Sequence, residues 1–368
     1  MSQDSPSRRA VLAGGAGAAL AAGAAQAADP HPQAGRTLTR IAFGSCAKEN
    51  KDQPIWEAVL AARPDLFIFL GDNVYLDTRD PAVMRAKYAQ LAAKPGFQRL
   101  RAQAPVLAIW DDHDYGENDA GAEYPMKEEA RRQFCDFWGV PAESPRRTRD
   151  GIYGAHVFGP AGRRVQILLP DLRWNRTPIE KLDLAGVDYD YWAKVRELKA
   201  TPVPGPYARN PADAATMLGE TQWRWLEDQL SAPAEVRILA SSLQVIADFP
   251  GWEAWINYVR DHQRLVAALR SRRANGLVCI SGDTHYGEIS KLDVNTPYPL
   301  WDFTSSGLTE VWPVLPPNDR RVGPAWRDRN FGMIEIDWTA GTLEGRIHDE
   351  KGEVRLRQAL SLADLRVG

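Results

Sequence analysis

The stretch that decides the fold is LFIFLGDNVY, residues 66–75. Its first five residues are apolar and suit a buried β-strand, which ends abruptly in a glycine and polar groups. Gly71 lets the backbone approach a ligand closely, and Asp72 can bridge two cations. Tyr75 can reach the same metal as a phenolate, a hard anionic ligand that suits a ferric ion. The alternative is a plain turn after a core strand, and the motif GDNVY, residues 71–75, does not by itself decide between the two.

The same pattern, an apolar run that ends in polar groups, recurs along the chain. Between the runs lie stretches with helical spacing, which is typical of an α/β domain. In such domains ligands gather at the carboxyl ends of the strands, so we expect the polar groups to converge on one cleft. The other strands are predicted at 41–43, 106–110, 165–169, 277–280, 331–338 and 342–348, and the helices at 54–62, 81–92, 127–138, 220–230 and 252–270.

Residues 175–217 interrupt this alternation. They are rich in Pro, Gly and Asp and show little periodicity, so we predict a long loop. Such a loop is either a lid over the site or a neutral insertion, and the pattern does not choose between them.

A second motif, Asp111-Asp112-His113-Asp114, places three carboxylates around one imidazole at the end of a predicted strand. Burial of these charges would cost several kcal/mol per ion unless cations neutralised them. We therefore predict that Asp112 ligates a metal and that His113 acts on the substrate as a general acid or electrostatic clamp. An acidic turn on the surface is the alternative.

Two further groups complete the candidate site. Asp283 and His285 close the strand predicted at 277–280, although a single histidine is more often structural than a ligand. Cys46 follows the first predicted strand; near cations it would bind as a thiolate, and a soft ligand beside a phenolate favours iron. The alternative is that Cys46 fills the core, as we expect of Cys135 and Cys279.

The first 27 residues have the features of an export signal. Arg8 and Arg9 precede a run rich in Ala and Gly, and residues 25–27 offer a small-residue cleavage site. The arginine pair is typical of a signal read by the twin-arginine export machinery, although it also suits an ordinary charged region. We expect a periplasmic or secreted protein with no membrane span and a single domain over 28–368. The net charge of −3 does not favour nucleic-acid binding.

In this order, the motifs resemble those of the alkaline phosphatase D, or PhoD-like, family of the calcineurin-like metallophosphoesterase superfamily. The resemblance covers roughly residues 40–348 and includes matches that carry less chemistry, at 64–67, 218–226 and 330–332. It implies an α/β fold: a two-sheet β-sandwich flanked by helices, in four layers. The usual Asp-x-His first motif of the superfamily is replaced by Gly44-Ser45-Cys46, so dinuclear zinc or manganese chemistry is not assumed.

The resemblance also implies cofactors and roles. Iron (Fe³⁺) and calcium (Ca²⁺) are expected, and other divalent metals remain possible. Cys46, Asp72 and Tyr75 would hold the iron, with Asp72 shared between metals. Asp112 stands where the superfamily usually has an asparagine ligand. The full set of implied residues is metal ligands Cys46, Asp72, Tyr75, Asp112, Asp283 and His285, catalytic residues His113 and Asp112, and candidate substrate-binding residues Asn73, Asp171 and Arg173.

The function expected from these residues is hydrolysis of small-molecule phosphate monoesters or diesters by metal-activated hydroxide. The signatures HExxH, GxSxG and GxxxxGK[ST] are absent from the sequence, so other common hydrolase and P-loop classes are not favoured. One alternative is a phospholipase or phosphodiesterase that acts on lipid or nucleotide diesters. The other is a periplasmic metal-binding protein without turnover.

Overall fold

Two six-stranded mixed sheets form the centre of the computed structural model, which describes residues 28–199, 201, 203–248 and 251–368. The predicted signal peptide, 1–27, lies outside these residues. In chain order the strands are β1 (Arg40–Gly44), β2 (Leu66–Leu70), β3 (Val106–Ile109), β4 (Gly154–Phe158), β5 (Val165–Leu169), β6 (Val236–Ala240), β7 (Leu277–Ser281), β8 (Gly287–Leu292), β9 (Leu300–Ser305), β10 (Asn330–Asp337), β11 (Thr342–Asp349) and β12 (Val354–Ser361).

Each sheet has a parallel part and antiparallel additions. The first sheet has the order β12-β11-β10-β1-β2-β3, in which β1, β2 and β3 are parallel. The second has the order β4-β5-β6-β7-β9-β8, in which β5, β6, β7 and β9 are parallel. All five residues of β2, β5, β6 and β7 are buried, as expected for parallel strands that are covered on both faces.

The helices flank the two sheets, which confirms the predicted α/β sandwich. Asp80 caps the second helix, because its side chain accepts a hydrogen bond from the Ala82 N–H at 2.7 Å. The helices are α1 (Ile55–Ala61), α2 (Pro81–Ala92), α3 (Pro95–Gln103), α4 (Asp112–Tyr115), α5 (Lys127–Phe137), α6 (Tyr189–Leu198), α7 (Gly219–Leu230) and α8 (Val259–Ser271).

The two sheets share one apolar core. Their close packing is visible at Gly345 on β11, which faces Phe303 on β9. A Cβ at Gly345 would lie 2.1 Å from a ring carbon of Phe303, so a larger residue would push the sheets apart. None of the helices in the described part of the chain is both long and apolar enough to cross a lipid bilayer.

Several elements differ from the sequence-based expectation. The pattern does not predict β4, β6, β8, β9 or β12; β12 is an edge strand whose exposed and buried residues interrupt any apolar run. The prediction of a loop throughout 175–217 is wrong at α6, where the Asp188 carboxylate accepts a hydrogen bond from the Tyr191 N–H at 3.1 Å. The helix predicted from Trp252 begins only at Val259, because the preceding residues form a separate 3₁₀ turn.

Candidate metal centre

The carboxyl ends of the parallel strands in both sheets carry the predicted site residues. Cys46 follows β1, Asp72 follows β2, Asp112 follows β3 and Asp283 follows β7. A parallel bridge between Ser45 and Ser306 joins the end of β1 to the end of β9, and so brings the two sheets together at this edge. The topology therefore explains why residues more than 200 positions apart share one site.

Four interlocking triads of metal-competent side chains lie at this edge. In each triad, one potential ligand atom from every residue lies within 4.8 Å of the others. Two triads share Asp72, and three share Asp112. The triads are Cys46, Asp72 and His285; Asp72, Asp112 and His113; Asp111, Asp112 and Asp283; and Asp112, Asp119 and Glu253. Such sharing of carboxylates is the arrangement that a cluster of neighbouring cations requires.

Cys46 lies at the centre of the first triad and is fully buried. Its thiol donates to the Asp72 carboxylate at 3.4 Å and lies 3.1 Å from the Ser306 hydroxyl. Burial, reinforced by the charges of Asp72 and Asp283, raises the pKa of this thiol well above its ordinary value. A thiolate therefore requires a cation at this position. The other cysteines, Cys135 and Cys279, are also buried and free.

Tyr75 and His285 extend the first triad. The Tyr75 hydroxyl lies 3.3 Å from His285 Nε2. Burial lowers the pKa of His285 to about 4, so its imidazole is neutral at physiological pH and can offer a lone pair to a metal. Burial, followed by the charge of Cys46, raises the pKa of Tyr75 well above its ordinary value. Like the thiol, this phenol would ionise only beside a cation.

His113 belongs to the second triad and lines the cleft. Its Nδ1 is 2.6 Å from Asp77 Oδ1, and its ring lies against Tyr75 with centroids 4.2 Å apart. Burial opposes protonation of His113, but Asp72, Asp112 and Asp77 outweigh it and raise the pKa to about 11. Cations on Asp72 and Asp112 would reduce this effect. The hydrogen bond to Asp77 fixes the orientation of the ring and leaves Nε2 available.

The acidic residues at the end of β3 divide into two kinds. Asp114 accepts hydrogen bonds from three backbone N–H groups and holds the turn, whereas Asp111 and Asp112 join the triads. Although burial opposes ionisation of Asp112, the cationic Arg173 and His113 keep its pKa below the ordinary value. Arg173 is fully buried and donates to Asp111 Oδ1 at 2.6 Å.

Backbone strain concentrates at the same edge. Left-handed φ angles occur at Cys46 (62°), Asp72 (50°), Asp283 (69°) and His285 (60°). Residues with a Cβ rarely adopt this region, which costs roughly 1–2 kcal/mol per residue. Four of the predicted ligands therefore hold unfavourable conformations that the surrounding fold must stabilise.

The three predicted substrate-binding residues lie beneath the surface of the cleft, and each is fully buried. The Asn73 amide donates to the Ile109 carbonyl at 2.9 Å. Asp171 accepts from the backbone of Ile152 and Arg173, so it shapes the turn after β5. Arg173 is committed to the acidic residues around it. Their positions therefore give no support to direct contact with a substrate, and that role stays a prediction.

The cleft at this edge has a volume of about 130 Å³. Its lining includes five carboxylates and two histidines, together with an apolar group formed by Trp252, Trp312, Val314 and Pro316. Its lining comprises Asp72, Asp112, His113, Asn118, Asp119, Trp252, Glu253, Asp283, Thr284, His285, Tyr286, Trp312, Val314 and Pro316.

Three residues in or beside the site, Asp77, Asp119 and Glu253, have no signal in the sequence that would assign them to it. Asp77 orients His113 from outside the GDNVY motif, and Asp119 and Glu253 form a triad with Asp112. Glu253 also forms a buried ion pair with Arg173 at 2.8 Å. None of them follows a strand directly, so the pattern of apolar runs that end in polar groups does not find them.

The donor set fits a cluster of cations. In the described part of the chain, Asp72 Oδ1 and Asp111 Oδ2 are buried and have no hydrogen-bond partner. An unpaired buried carboxylate oxygen is costly, and a cation would compensate it. Carboxylate, imidazole, phenol and thiol groups are all side chains that ligate metal ions in proteins.

We expect metal removal to destabilise the protein more strongly at high pH. Burial and neighbouring carboxylates raise the pKa of Asp72 and Asp283, so their folded-state values exceed the unfolded ones. Their contribution to stability is complete at pH below about 4 and is lost as the pH rises through the folded pKa. Bound cations stabilise the ionised carboxylates and so remove the cost of burying their charge. Between pH 5 and 8, the Tm difference between metal-loaded and chelated protein should widen by about 5 °C.

The buried histidines outside the centre give an internal control for this measurement. Burial lowers the pKa of His156 to about 3 and of His262 to about 4. Their stabilisation is complete above pH of about 6.5 and is lost as the pH falls towards those values, with or without metal. A Tm difference that stayed constant between pH 5 and 8 would contradict a metal centre built on these carboxylates.

Comparisons with known proteins agree with this architecture. Alkaline phosphatase D of Bacillus subtilis strain 168 is 23% identical over 307 residues, which cover 72% of this chain and 49% of the relative. The chain thus spans about half the length of that curated relative. The solved structure of PhoD superposes with a TM-score of 0.68 at 16% identity and covers 92% of this chain and 72% of that one.

Two further solved structures share the fold. A dimetal phosphatase from Danio rerio has a TM-score of 0.50 at 14% identity, over 90% of this chain and all of that one. GAP50, described as the anchor in the inner membrane complex of Plasmodium, has a TM-score of 0.54 at 12% identity, over 90% of both chains. A sequence model of the family described as PhoD-like phosphatase matches residues 41–321. Because this match covers most of the chain, the protein belongs to the PhoD-like phosphatase family.

Proposed function

We propose that this protein is an exported, metal-dependent phosphoesterase that hydrolyses phosphate monoesters, diesters or both. The observation that carries the proposal is the set of four triads, each of which contains Asp72, Asp112 or both, beside the cleft that these two residues line. Membership of the PhoD-like phosphatase family supports the same reaction class.

The metals proposed are iron and calcium. Cys46, Asp72, Tyr75 and His285 would hold the iron, and Asp72 would be shared with a second cation near Asp112. Asp283 and Asp111 lie in the neighbouring triad and would complete the acidic side. When bound, such cations lower the pKa of a water nucleophile and offset the negative charge of a phosphoryl group.

The chain's own residues supply orientation and proton transfer. Asp77 holds Nδ1 of His113, so Nε2 faces the cleft and can donate a hydrogen bond to a phosphoryl oxygen or a proton to the leaving oxygen. Asp77 belongs to none of the triads, and its hydrogen bond to His113 favours the protonated imidazole, which is the form that a general acid needs. Arg173 offsets part of the acidic charge beneath the cleft and keeps Asp111 and Asp112 in place.

Export is the second part of the proposal. Arg8, Arg9 and the small residues at 25–27 support a signal peptide read by the twin-arginine machinery, which carries folded proteins. A periplasmic or secreted location follows from it. Export of a folded chain also suits a protein whose metals would be bound before it crosses the membrane.

The test is hydrolysis of p-nitrophenyl phosphate and bis(p-nitrophenyl) phosphate by the full chain loaded with iron and calcium. We expect turnover of at least one of the two, and loss of that turnover after chelation. Failure to cleave either ester with both metals bound would instead favour the metal-binding protein without turnover. The ratio of the two activities would separate a monoesterase from a phosphodiesterase acting on lipid or nucleotide diesters.

A further inference from the structure

The cleft has an apolar wall that the proposed chemistry does not use. Trp252 and Trp312 contact one another there, with ring centroids 5.4 Å apart and planes tilted by 56°. Val314 and Pro316 lie beside them in the lining. Trp312 is 41% exposed, which is unusual for a tryptophan and leaves one side of its indole available to a ligand.

The exposed tryptophan is held by the residues of the metal centre. Its backbone N–H donates to the His285 carbonyl at 3.0 Å, and its ring lies 6.1 Å from the His285 ring between centroids. Three residues earlier, the Thr309 N–H donates to the Cys46 carbonyl at 3.0 Å. Further along the same segment, Asn318 donates to the buried Glu288 at 2.8 Å. The wall is thus fixed relative to two candidate ligands.

Two tyrosines from the segment 175–217 pack against Trp252. Tyr189 and Tyr207 both contact its ring edge-on, at centroid distances of 6.3 Å and 6.5 Å. Tyr207 also donates a hydrogen bond to the carboxylate of Asp119 in the cleft. The sequence does not choose between a lid and a neutral insertion for this segment. In the structure two of its tyrosines pack against the wall.

The charge of the cleft limits what this wall can bind. Of the lining residues, all of them in the described part of the chain, none is a lysine or arginine, and five are carboxylates. A substrate with a second anionic group would meet no cationic side chain at the wall. The five carboxylates all belong to the triads, so bound cations would offset the charge that could attract a cationic group. The alcohol portion of a phosphate ester is covalently attached to the phosphorus, so it must lie in the same cleft as the reacting group.

From this combination we infer that Trp252 and Trp312 form a subsite for the alcohol portion of the ester, and that this portion is uncharged and apolar. The inference rests on the proposed phosphoesterase function and adds a substrate class to it. Aryl and alkyl alcohols share the required chemistry, because both bury apolar surface against indole rings.

The experiment uses the metal-loaded full chain and four esters: 2-naphthyl phosphate, n-hexyl phosphate, glycerol 3-phosphate and phosphocholine. Wild-type selectivity alone is affected by leaving-group chemistry, so the readout is the change in selectivity on substitution. Trp312→Ala should lower kcat/KM for the two apolar esters, relative to glycerol 3-phosphate, by roughly tenfold, mainly through KM. Trp312→Phe should restore most of that selectivity.

Val354→Ala is the matched control, because Val354 is 43% exposed but lies on β12 away from the cleft. It should leave the selectivity unchanged. A loss confined to the naphthyl ester would still support the subsite and would assign it to aryl groups, whereas a loss confined to the hexyl ester would assign it to alkyl groups.

Two results would overturn the inference and leave the proposed function standing. One is an equal effect of Trp312→Ala on all four esters; the other is a loss that is largest for phosphocholine, since that would assign the wall to a cationic group. If wild type hydrolysed none of these monoesters, the subsite would fail. The proposed function would fail with it only if bis(p-nitrophenyl) phosphate were not cleaved either.

Discussion

Replacement of Asp72 by asparagine should lower kcat/KM by about 10³-fold or more and remove bound metal. Asp72 belongs to two triads, so its loss weakens two neighbouring cation positions at once. Its left-handed φ of 50° and its unpartnered Oδ1 show that the fold directs this carboxylate at the centre. A loss of several kcal/mol of transition-state stabilisation corresponds to that factor. Activity and metal content, measured on the same preparation, check it.

The same substitution should make the chelated protein more stable at pH 8. Burial and the neighbouring Asp112 raise the pKa of Asp72, and asparagine removes the charge that the metal-free fold must accommodate. A higher Tm for the metal-free variant would show that lost activity does not come from unfolding. Asp337→Asn is the control, because Asp337 only accepts backbone hydrogen bonds in the β10–β11 turn. Full metal content in Asp72→Asn would refute its bridging role.

Replacement of His113 by alanine should leave the metal content unchanged and lower kcat by about 10³-fold. His113 is oriented by Asp77, and its side chain is 17% exposed in the cleft. If His113 protonates the leaving oxygen, the loss should be larger for an alkyl phosphate than for p-nitrophenyl phosphate, whose leaving group needs no proton. Steady-state rates for both esters, with elemental analysis of each preparation, provide the measurement.

A purely electrostatic role for His113 would give equal losses for the two esters. His31→Ala serves as the control, because His31 lies beside Phe158 on β4 and belongs to none of the triads. Loss of metal from His113→Ala would make His113 a ligand of the second triad and would exclude its assignment as a separate acid.

Much of the fold follows from the sequence, because parallel strands are buried on both faces. The run Leu66–Leu70 has no polar residue to interrupt it, and its prediction is confirmed. The edge strand β12 is harder, since its exposed and buried residues do not alternate regularly. Strand β8 has no exposed residue, but Glu288 and Lys291 interrupt its apolar run. Strand β9 contains the buried Asp302, whose carboxylate accepts from the backbone of Val245 and Ile246, and no local pattern reveals such distant partners.

The residues of the candidate site also divide into those that the sequence reveals and those that it does not. Residues directly after buried strands, such as Asp72 and Asp283, can be found because a strand end at a sheet edge is a local feature. Asp77 and Glu253 cannot, since their roles depend on partners 36 and 80 positions away in the chain, His113 and Arg173. The left-handed φ angles of the candidate ligands likewise leave no signature in the sequence, because these positions carry Cys, Asp and His and not glycine.

The most direct test of the central claim, that these side chains share cations, is elemental analysis of the purified protein together with its visible absorption spectrum. We expect bound iron and a coloured protein, with an absorption band that Tyr75→Phe abolishes while the fold is retained. A colourless wild-type protein without iron, or a spectrum that Tyr75→Phe leaves unchanged, would contradict an iron site formed by Tyr75, Cys46 and Asp72.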